Sequence, residues 1–123
     1  MSTVAIDLKQ FIQEYVTALS GQPKTETLID RYVSDPKLKE HILQAEAAFP
    51  DYEFAAHQVV ADGDLVAVRA TFRGVHKGEF AGIAPTGKNV SAEVMIFYRI
   101  NDGRIAEHWM QWDIGAVIAE LKG

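Results

Sequence analysis

The sequence predicts a single α+β domain in which three helices precede an antiparallel sheet. Apolar residues recur every three or four positions up to Phe49, and from Tyr52 onward they recur at every second position. This change of period separates a helical half from a strand half, as in folds with segregated helices and strands. Because a second core would be too small to fold alone, the 123 residues are expected to form one domain, residues 1–123.

The helical half predicts three amphipathic helices. The first covers Ala5–Leu19 and is followed by Gly21 and a proline, which are typical of a helix end. Thr25 is a suitable N-cap for the second helix. Pro36 fits the first turn of the third helix, which ends at Pro50.

The second half predicts two hairpins and a short closing helix. The turns are expected at 62–64 and at Asp102-Gly103, where acidic residues flank or precede glycine. In the second strand apolar side chains alternate with arginine and threonine, so one face is expected to be buried. The predicted strands and helix are Tyr52–Ala61, Leu65–Val75, Val90–Ile100, Arg104–Asp113 and Gly115–Leu121.

Composition excludes several classes of protein. The net charge is −5 and no basic cluster is present, which argues against binding to nucleic acid. There are no cysteines and no apolar run of about 20 residues, and residues 1–9 do not show the pattern of a signal peptide, so a cytoplasmic protein with no membrane contact is expected. No cofactor and no metal are expected, because the four histidines lie on different predicted elements without ligand spacing.

Four motifs occur in order along the chain. They are FPD at 49–51, ADGDLVAVR at 61–69, GVHKGEFAGIAPTGK at 74–88 and YRINDGRIAEHWMQWD at 98–113. On these motifs the chain resembles the SnoaL-like polyketide cyclases, also called ester cyclase-like proteins. The likeness covers nearly the whole chain and is most specific in its second half.

The resemblance implies a cone-shaped barrel of the nuclear-transport-factor-like superfamily, with helices packed on a curved antiparallel sheet that encloses a pocket. It also implies a homodimer formed through the outer face of the sheet. Two functions occur on this scaffold. One is a cofactor-independent cyclase or isomerase that uses acid/base chemistry on a small, hydrophobic, oxygenated, polyketide-like substrate. The other is a non-catalytic ligand-binding or dimeric scaffold domain.

Which face of the last strand points into the pocket determines most of the predicted site residues. A two-residue turn pairs Ile100 with Ile105 and Tyr98 with Glu107, and hydrophobicity alone leaves the inner side open. The resemblance implies that Asp113 projects into the pocket, so the face of the last strand that carries Asp113 is expected to be the inner one. The expected inner residues are Glu107, Trp109, Gln111 and Asp113, and the expected outer patch is Phe97, His108, Met110 and Trp112.

Asp113 and His76 are the candidate catalytic residues. In an apolar pocket the pKa of Asp113 would be raised by desolvation, which suits proton transfer as the resemblance implies. Alternatively, Asp113 caps the final helix. His76 continues the buried side of its strand, where it either hydrogen-bonds a substrate oxygen or satisfies backbone groups in the 74–78 corner.

Five further residues are candidate substrate contacts because their predicted elements direct them inward. A histidine or tyrosine on an apolar face is otherwise a packed core residue with a satisfied polar atom, and that alternative stays open. The candidates are Tyr15, Tyr32, His41, Phe72 and Trp109.

Overall fold

The computed structural model describes residues 7–123, which form four helices and four strands. The first three helices precede the strands and the fourth ends the chain, so the predicted α+β class is confirmed. Ala5 and Ile6, at the predicted start of the first helix, lie outside the described residues. The elements are α1 Leu8–Leu19, α2 Glu26–Tyr32, α3 Pro36–Ala48, β1 Glu53–Asp62, β2 Leu65–Val75, β3 Asn89–Asn101, β4 Arg104–Trp112 and α4 Ile114–Lys122.

Each helix begins at a side chain that accepts a hydrogen bond from the first turn. Thr25 accepts from the backbone N–H of Leu28 at 3.2 Å, which confirms the predicted cap of α2. Asp35 accepts from the N–H groups of Lys37 and Leu38 at 2.9 and 3.4 Å, and Pro36 occupies the first turn of α3 as predicted. Short polar side chains before apolar stripes therefore set where the helices start.

The strands form one antiparallel sheet in the order β1-β2-β3-β4. Consecutive strands pair as hairpins, and the two-residue turn between β3 and β4 has positive φ at Asp102 and Gly103, 52° and 76°. In the described residues β1 and β4 remain the edges of the sheet, so the expected closure into a barrel is wrong. Among residues 7–123, no helix is long and apolar enough to cross a membrane.

The buried face of the sheet packs against the helices. In β2 the buried residues are Val66, Val68, Ala70 and Phe72, while Arg73 on the other face is exposed, as the alternation predicts. In β3 the buried side chains alternate without interruption from Val90 to Ile100. The inner face of the sheet and the stripes of α1, α2 and α3 share one apolar core.

A β-bulge makes the predicted register of β4 wrong. Ile100 pairs with Ile105 as predicted, but Arg99 pairs with Glu107, so Ala106 is an extra residue without a partner. One extra residue reverses the facing of every later side chain. Tyr98 therefore pairs with His108 rather than with Glu107.

The outer face carries an apolar patch, but not the one predicted. Phe97 is exposed there as expected, whereas His108, Met110 and Trp112 face inward. A row of side chains crosses all four strands, since Val60 pairs with Ala67, Ala67 with Phe97 and Phe97 with Trp109. We call the exposed residues Val60, Met95, Phe97 and Trp109 the outer patch; their exposed fractions are 48–60%.

The corner between β2 and β3 docks on the end of α3. The N–H groups of Lys77 and Gly78 both donate to the carbonyl oxygen of Ala48 at 3.0 Å. A side chain at Gly78 would overlap the carbonyl oxygen of Ala47. Glycine is required here because the two backbones approach so closely.

We expect Gly78→Ala to lower the free energy of unfolding by about 1–3 kcal/mol, the usual cost of overpacking. Urea unfolding followed by circular dichroism measures this change. Gly115→Ala is the matched control, because a side chain at Gly115 on α4 meets no atom closer than 3.7 Å. Equal stability of Gly78→Ala and the wild type would contradict the close approach.

Candidate functional site

A cavity of about 620 Å³ lies between the helices and the inner face of the sheet. That volume falls in the range of small-molecule sites. Helix α1 contributes Tyr15, helix α3 contributes His41, and the corner before β3 contributes Glu79 and Phe80. The sheet side consists of Phe72, Val94, Ile96, Tyr98, Met110 and Trp112.

The walls are mostly aromatic and aliphatic. Phe49 packs edge-on against Phe72 and Phe80, with ring centroids 5.2 Å apart in both pairs. Trp112 completes this group at 5.8 Å from Phe72 and 6.1 Å from Phe80. A ligand in the cavity would therefore contact apolar surface over much of its area, with a few polar groups to orient it.

A His–Asp pair lies beside the cavity. The Nδ1 atom of His108 is 2.7 Å from Oδ2 of Asp35, and the two side chains are only 7% and 11% exposed. His108 faces inward because of the bulge, and its ring lies edge-on to the ring of His41 at 5.4 Å. The contact with Asp35 uses Nδ1 and leaves Nε2 as the second ring nitrogen. Neither His108 nor Asp35 belongs to the cavity lining, whereas His41, which packs against His108, does.

Asp35 binds His108 and also caps helix α3. Its Oδ1 atom caps the helix, while Oδ2 holds His108. Burial by itself raises the pKa of Asp35, but hydrogen bonds from His108 and from the N–H groups of Lys37 and Leu38 outweigh it and lower the pKa. Asp35 therefore stays ionised at neutral pH and favours the orientation of His108 in which Nδ1 carries a proton.

Three buried tyrosines form another polar group in the cavity wall. Tyr15, Tyr52 and Tyr98 are each at most 8% exposed, and the rings of Tyr15 and Tyr98 meet edge-on at 5.9 Å. Burial raises the pKa of all three, so each hydroxyl keeps its proton and remains a hydrogen-bond donor.

Lys24 fixes the backbone and the ring of Tyr52. Its Nζ atom donates to the carbonyl oxygen of Tyr52 at 2.8 Å and lies 4.0 Å from the centroid of that ring. Burial lowers the pKa of Lys24, and the nearby Glu46, at 3.3 Å, opposes that change. This contact ties the loop before α2 to the start of β1.

The structure brings three of the predicted contact residues to the cavity: Tyr15, His41 and Phe72. Tyr32 instead packs against Phe11 and Tyr15 outside the lining, with centroids 6.0 and 5.8 Å apart. Trp109 lies in the outer patch, 5.5 Å from the guanidinium carbon of Arg99, so its predicted pocket position is wrong. The bulge at Ala106 is the cause.

The two predicted catalytic residues lie outside the cavity lining. Asp113 is exposed and accepts a hydrogen bond from the N–H of Ala116 at 3.0 Å, so it caps α4, the alternative that the sequence left open. His76 is fully buried against the ring of Phe49. Its Nδ1 accepts from the N–H of Thr86 at 3.2 Å, a backbone group beyond the 74–78 corner that the alternative named.

Sequence reasoning missed the His108–Asp35 pair because its partners are 73 residues apart and no local pattern connects them. Asp35 precedes Pro36 at the start of α3, and nothing in that local sequence indicates a partner on β4. The predicted register also places Met110 and Trp112 on the outer face, whereas both face inward.

Together, the fold and the cavity define a small α+β domain with one apolar chamber between its helices and its sheet. The chain belongs to the SnoaL-like polyketide cyclase family, because the sequence profile of that family matches residues 7–121. A comparison with curated proteins gave no match.

Solved structures show the same fold. AclR, a candidate hydroxylase from Streptomyces galilaeus, is 26% identical with a TM-score of 0.79, over 93% of this chain and 80% of that one. IdmH, a candidate polyketide cyclase from Streptomyces antibioticus, is 25% identical with a TM-score of 0.74, over 96% of this chain and 100% of that one. A candidate polyketide cyclase from Acidithiobacillus ferrooxidans is 23% identical with a TM-score of 0.76, over 98% of both chains.

The depressed pKa of Asp35 makes its contribution to stability depend on pH. A carboxyl group whose pKa is lower in the folded state stabilises the folded protein fully when the pH is above the ordinary pKa of the group. This stabilisation is lost as the pH falls through the pKa of the folded state. Asp35→Asn keeps a capping oxygen but removes the charge. We expect the stability difference between the wild type and Asp35→Asn to be largest near neutral pH and to shrink below about pH 4.

Urea unfolding of both proteins from about pH 7 to about pH 2 measures this difference. Asp113→Asn is a control with the same charge change at an exposed cap. A difference that stays constant over the whole range would show that Asp35 is not stabilised as a carboxylate.

Proposed function

We propose that the protein is a cofactor-independent cyclase or isomerase that acts by acid/base chemistry on a small, largely apolar, oxygenated substrate of the polyketide type. The observation that carries the proposal is the 2.7 Å contact between His108 and Asp35 beside an apolar cavity. The sequence profile match and the likeness to IdmH support the substrate class. His108, rather than Asp113, is the acid/base group in this proposal.

The chemistry needs a group that takes a proton from carbon and returns it to oxygen. In the proposed reaction Nε2 of His108 removes a proton from a carbon between two carbonyl groups, and the electron pair moves to a carbonyl oxygen as an enolate. The enolate carbon then attacks a second carbonyl carbon and forms the new C–C bond. The imidazolium returns its proton to the resulting alkoxide, so no oxidant or reductant is required.

Asp35 orients His108 and stabilises the imidazolium that forms after proton transfer. A buried carboxylate at Nδ1 fixes the tautomer in which Nε2 is the base, as in other histidine–carboxylate pairs. His41 lines the cavity beside this pair and provides a second imidazole near the substrate. The apolar walls limit access of water to the reacting enolate.

A second candidate function is ligand binding without turnover. The inward positions of β4 on the cavity wall are Met110 and Trp112, and the only carboxylate in the described lining is Glu79, on the corner before β3. This lining suits retention of an apolar molecule. The two functions differ in whether bound substrate exchanges its acidic hydrogen.

We expect the wild type to accelerate exchange of deuterium into the acidic methylene of benzoylacetone, a 1,3-diketone with one aromatic ring. His108→Gln and Asp35→Asn should each lower the protein-dependent rate by about 10²–10⁴-fold, the usual contribution of a positioned acid/base group. Proton NMR in deuterated buffer measures the exchange.

Two control variants accompany this measurement. Asp113→Asn keeps its cap and His57→Gln alters an exposed imidazole that contacts Thr71 on the sheet, so both should retain the wild-type rate. Loss of exchange in Asp113→Asn with full exchange in His108→Gln would reject the proposed base. Binding of benzoylacetone without exchange by the wild type would favour the ligand-binding function.

We also propose that a second copy of the chain covers the outer patch. The patch is bordered by charges of both signs, with Arg69 3.6 Å from Glu93 and Arg99 2.8 Å from Glu107. A surface with both signs allows self-association, because a suitably placed two-fold axis brings the arginines of one copy against the glutamates of the other. Large apolar side chains at its centre are typical of such an interface.

Light scattering coupled to size exclusion should therefore give a dimer for the wild type and a monomer for Phe97→Glu. Gln13→Glu, with the same charge change on the exposed side of α1, should remain a dimer. A monomeric wild type, or dissociation of both variants alike, would contradict an interface at the outer patch.

A further inference from the structure

The three buried tyrosines are not needed for the proton transfer assigned to His108, yet all three line the cavity. Tyr15 comes from α1, Tyr52 from the segment before β1 and Tyr98 from β3. Three separate elements thus contribute phenol groups to a mostly apolar chamber. Buried hydroxyl groups are costly unless they find hydrogen-bond partners.

The side chains of Tyr15 and Tyr98 are in contact, because their rings meet edge-on with centroids 5.9 Å apart. Burial raises the pKa of Tyr15 most, and its interaction with Tyr98 raises it further. Burial also raises the pKa of Tyr98. Each phenol therefore keeps its proton, and Tyr98 can donate one hydrogen bond to an oxygen of a ligand in the cavity.

Tyr98 is next to the His–Asp pair. It faces His108 directly across the β3–β4 ladder, and paired side chains on one face of an antiparallel sheet have Cβ atoms about 5 Å apart. A carbonyl group is one bond from its acidic carbon. In the proposed arrangement the acidic carbon lies at His108 and the carbonyl oxygen lies at the Tyr98 hydroxyl.

We propose that Tyr98, supported by Tyr15, binds the oxygen of the ligand that carries negative charge, and that the cavity therefore selects enolisable carbonyl compounds and phenols. The inference rests on the proposed function only for the location of the ligand. Hydrogen bonds from buried donors to an anionic oxygen are stronger than those to a neutral one. In the reaction, such donors stabilise the enolate that forms when carbon loses its proton.

The test measures binding and needs no turnover. A series of substituted 2-naphthols of increasing acidity, together with 2-methylnaphthalene, is titrated into the protein at one pH, with tryptophan fluorescence as the readout. We expect the wild type to bind the naphthols more tightly as their acidity rises. Tyr98→Phe should lower the affinity for the most acidic naphthol by about 10-fold or more, which corresponds to the loss of a hydrogen bond to a charged group. Tyr15→Phe should lower this affinity by less.

Tyr32→Phe is the matched control, because it removes a hydroxyl from a ring that touches Tyr15 outside the cavity lining. It should leave all affinities unchanged. Tyr98→Phe should also leave 2-methylnaphthalene unchanged, because that ligand offers no oxygen. An affinity that is independent of acidity, an equal loss for both ligands, or no binding of any naphthol would each overturn the proposal.

The result is separable from the acid/base proposal. Exchange of deuterium into benzoylacetone depends on His108 and Asp35, whereas the dependence of binding on naphthol acidity depends on Tyr98. Absence of exchange together with acidity-dependent binding would reject the proposed base and retain the tyrosine site. Exchange of deuterium without acidity-dependent binding would reject the tyrosine site and retain His108 as the proposed base.

Discussion

The β-bulge at Ala106 determines which side chains of the last strand reach the cavity. Without it, the pairing that starts at the Asp102-Gly103 turn would place Trp109 and Glu107 inside. The extra residue instead turns His108 inward, where Asp35 is its partner, and turns Trp109 outward. The cavity wall, the His–Asp pair and the outer patch all depend on this single irregularity, since a bulge redirects every side chain that follows it.

The elements of the fold could be predicted from sequence because they depend on local signals. Thr25 marks the start of α2 because its side chain accepts a hydrogen bond from a free backbone N–H, and Pro36 marks the start of α3 because it needs no N–H partner there. The strand Leu65–Val75 follows from the strict alternation of buried and less buried residues. The bulge could not be predicted in this way, because Ala106 carries no glycine or turn signature. The site predictions for Trp109 and Asp113 used the unbulged register, whereas those for Tyr15 and His41 used helical faces that no bulge can invert.

Asp35 couples the position of a helix to the proposed chemistry. One of its oxygens begins α3 and the other holds His108, so the helix that supplies Leu38 and His41 to the cavity wall is fixed relative to the proposed base. A buried carboxylate is costly, and here three hydrogen bonds offset that cost and keep the group ionised. The same arrangement makes the site sensitive to any shift of α3 against β4.

The position of Asp113 constrains how this family member can act. Its side chain is engaged by α4 and exposed, so an acid/base reaction in the cavity requires a different proton acceptor. We propose His108 for this role, because a carboxylate fixes one of its ring nitrogens and its ring packs against His41, which lines the cavity. Tyr98 adds the complementary group, a protonated donor paired with His108 across the ladder. A base for carbon together with a donor for oxygen is what enolate formation needs, and the two proposed groups are partners on adjacent strands of the sheet.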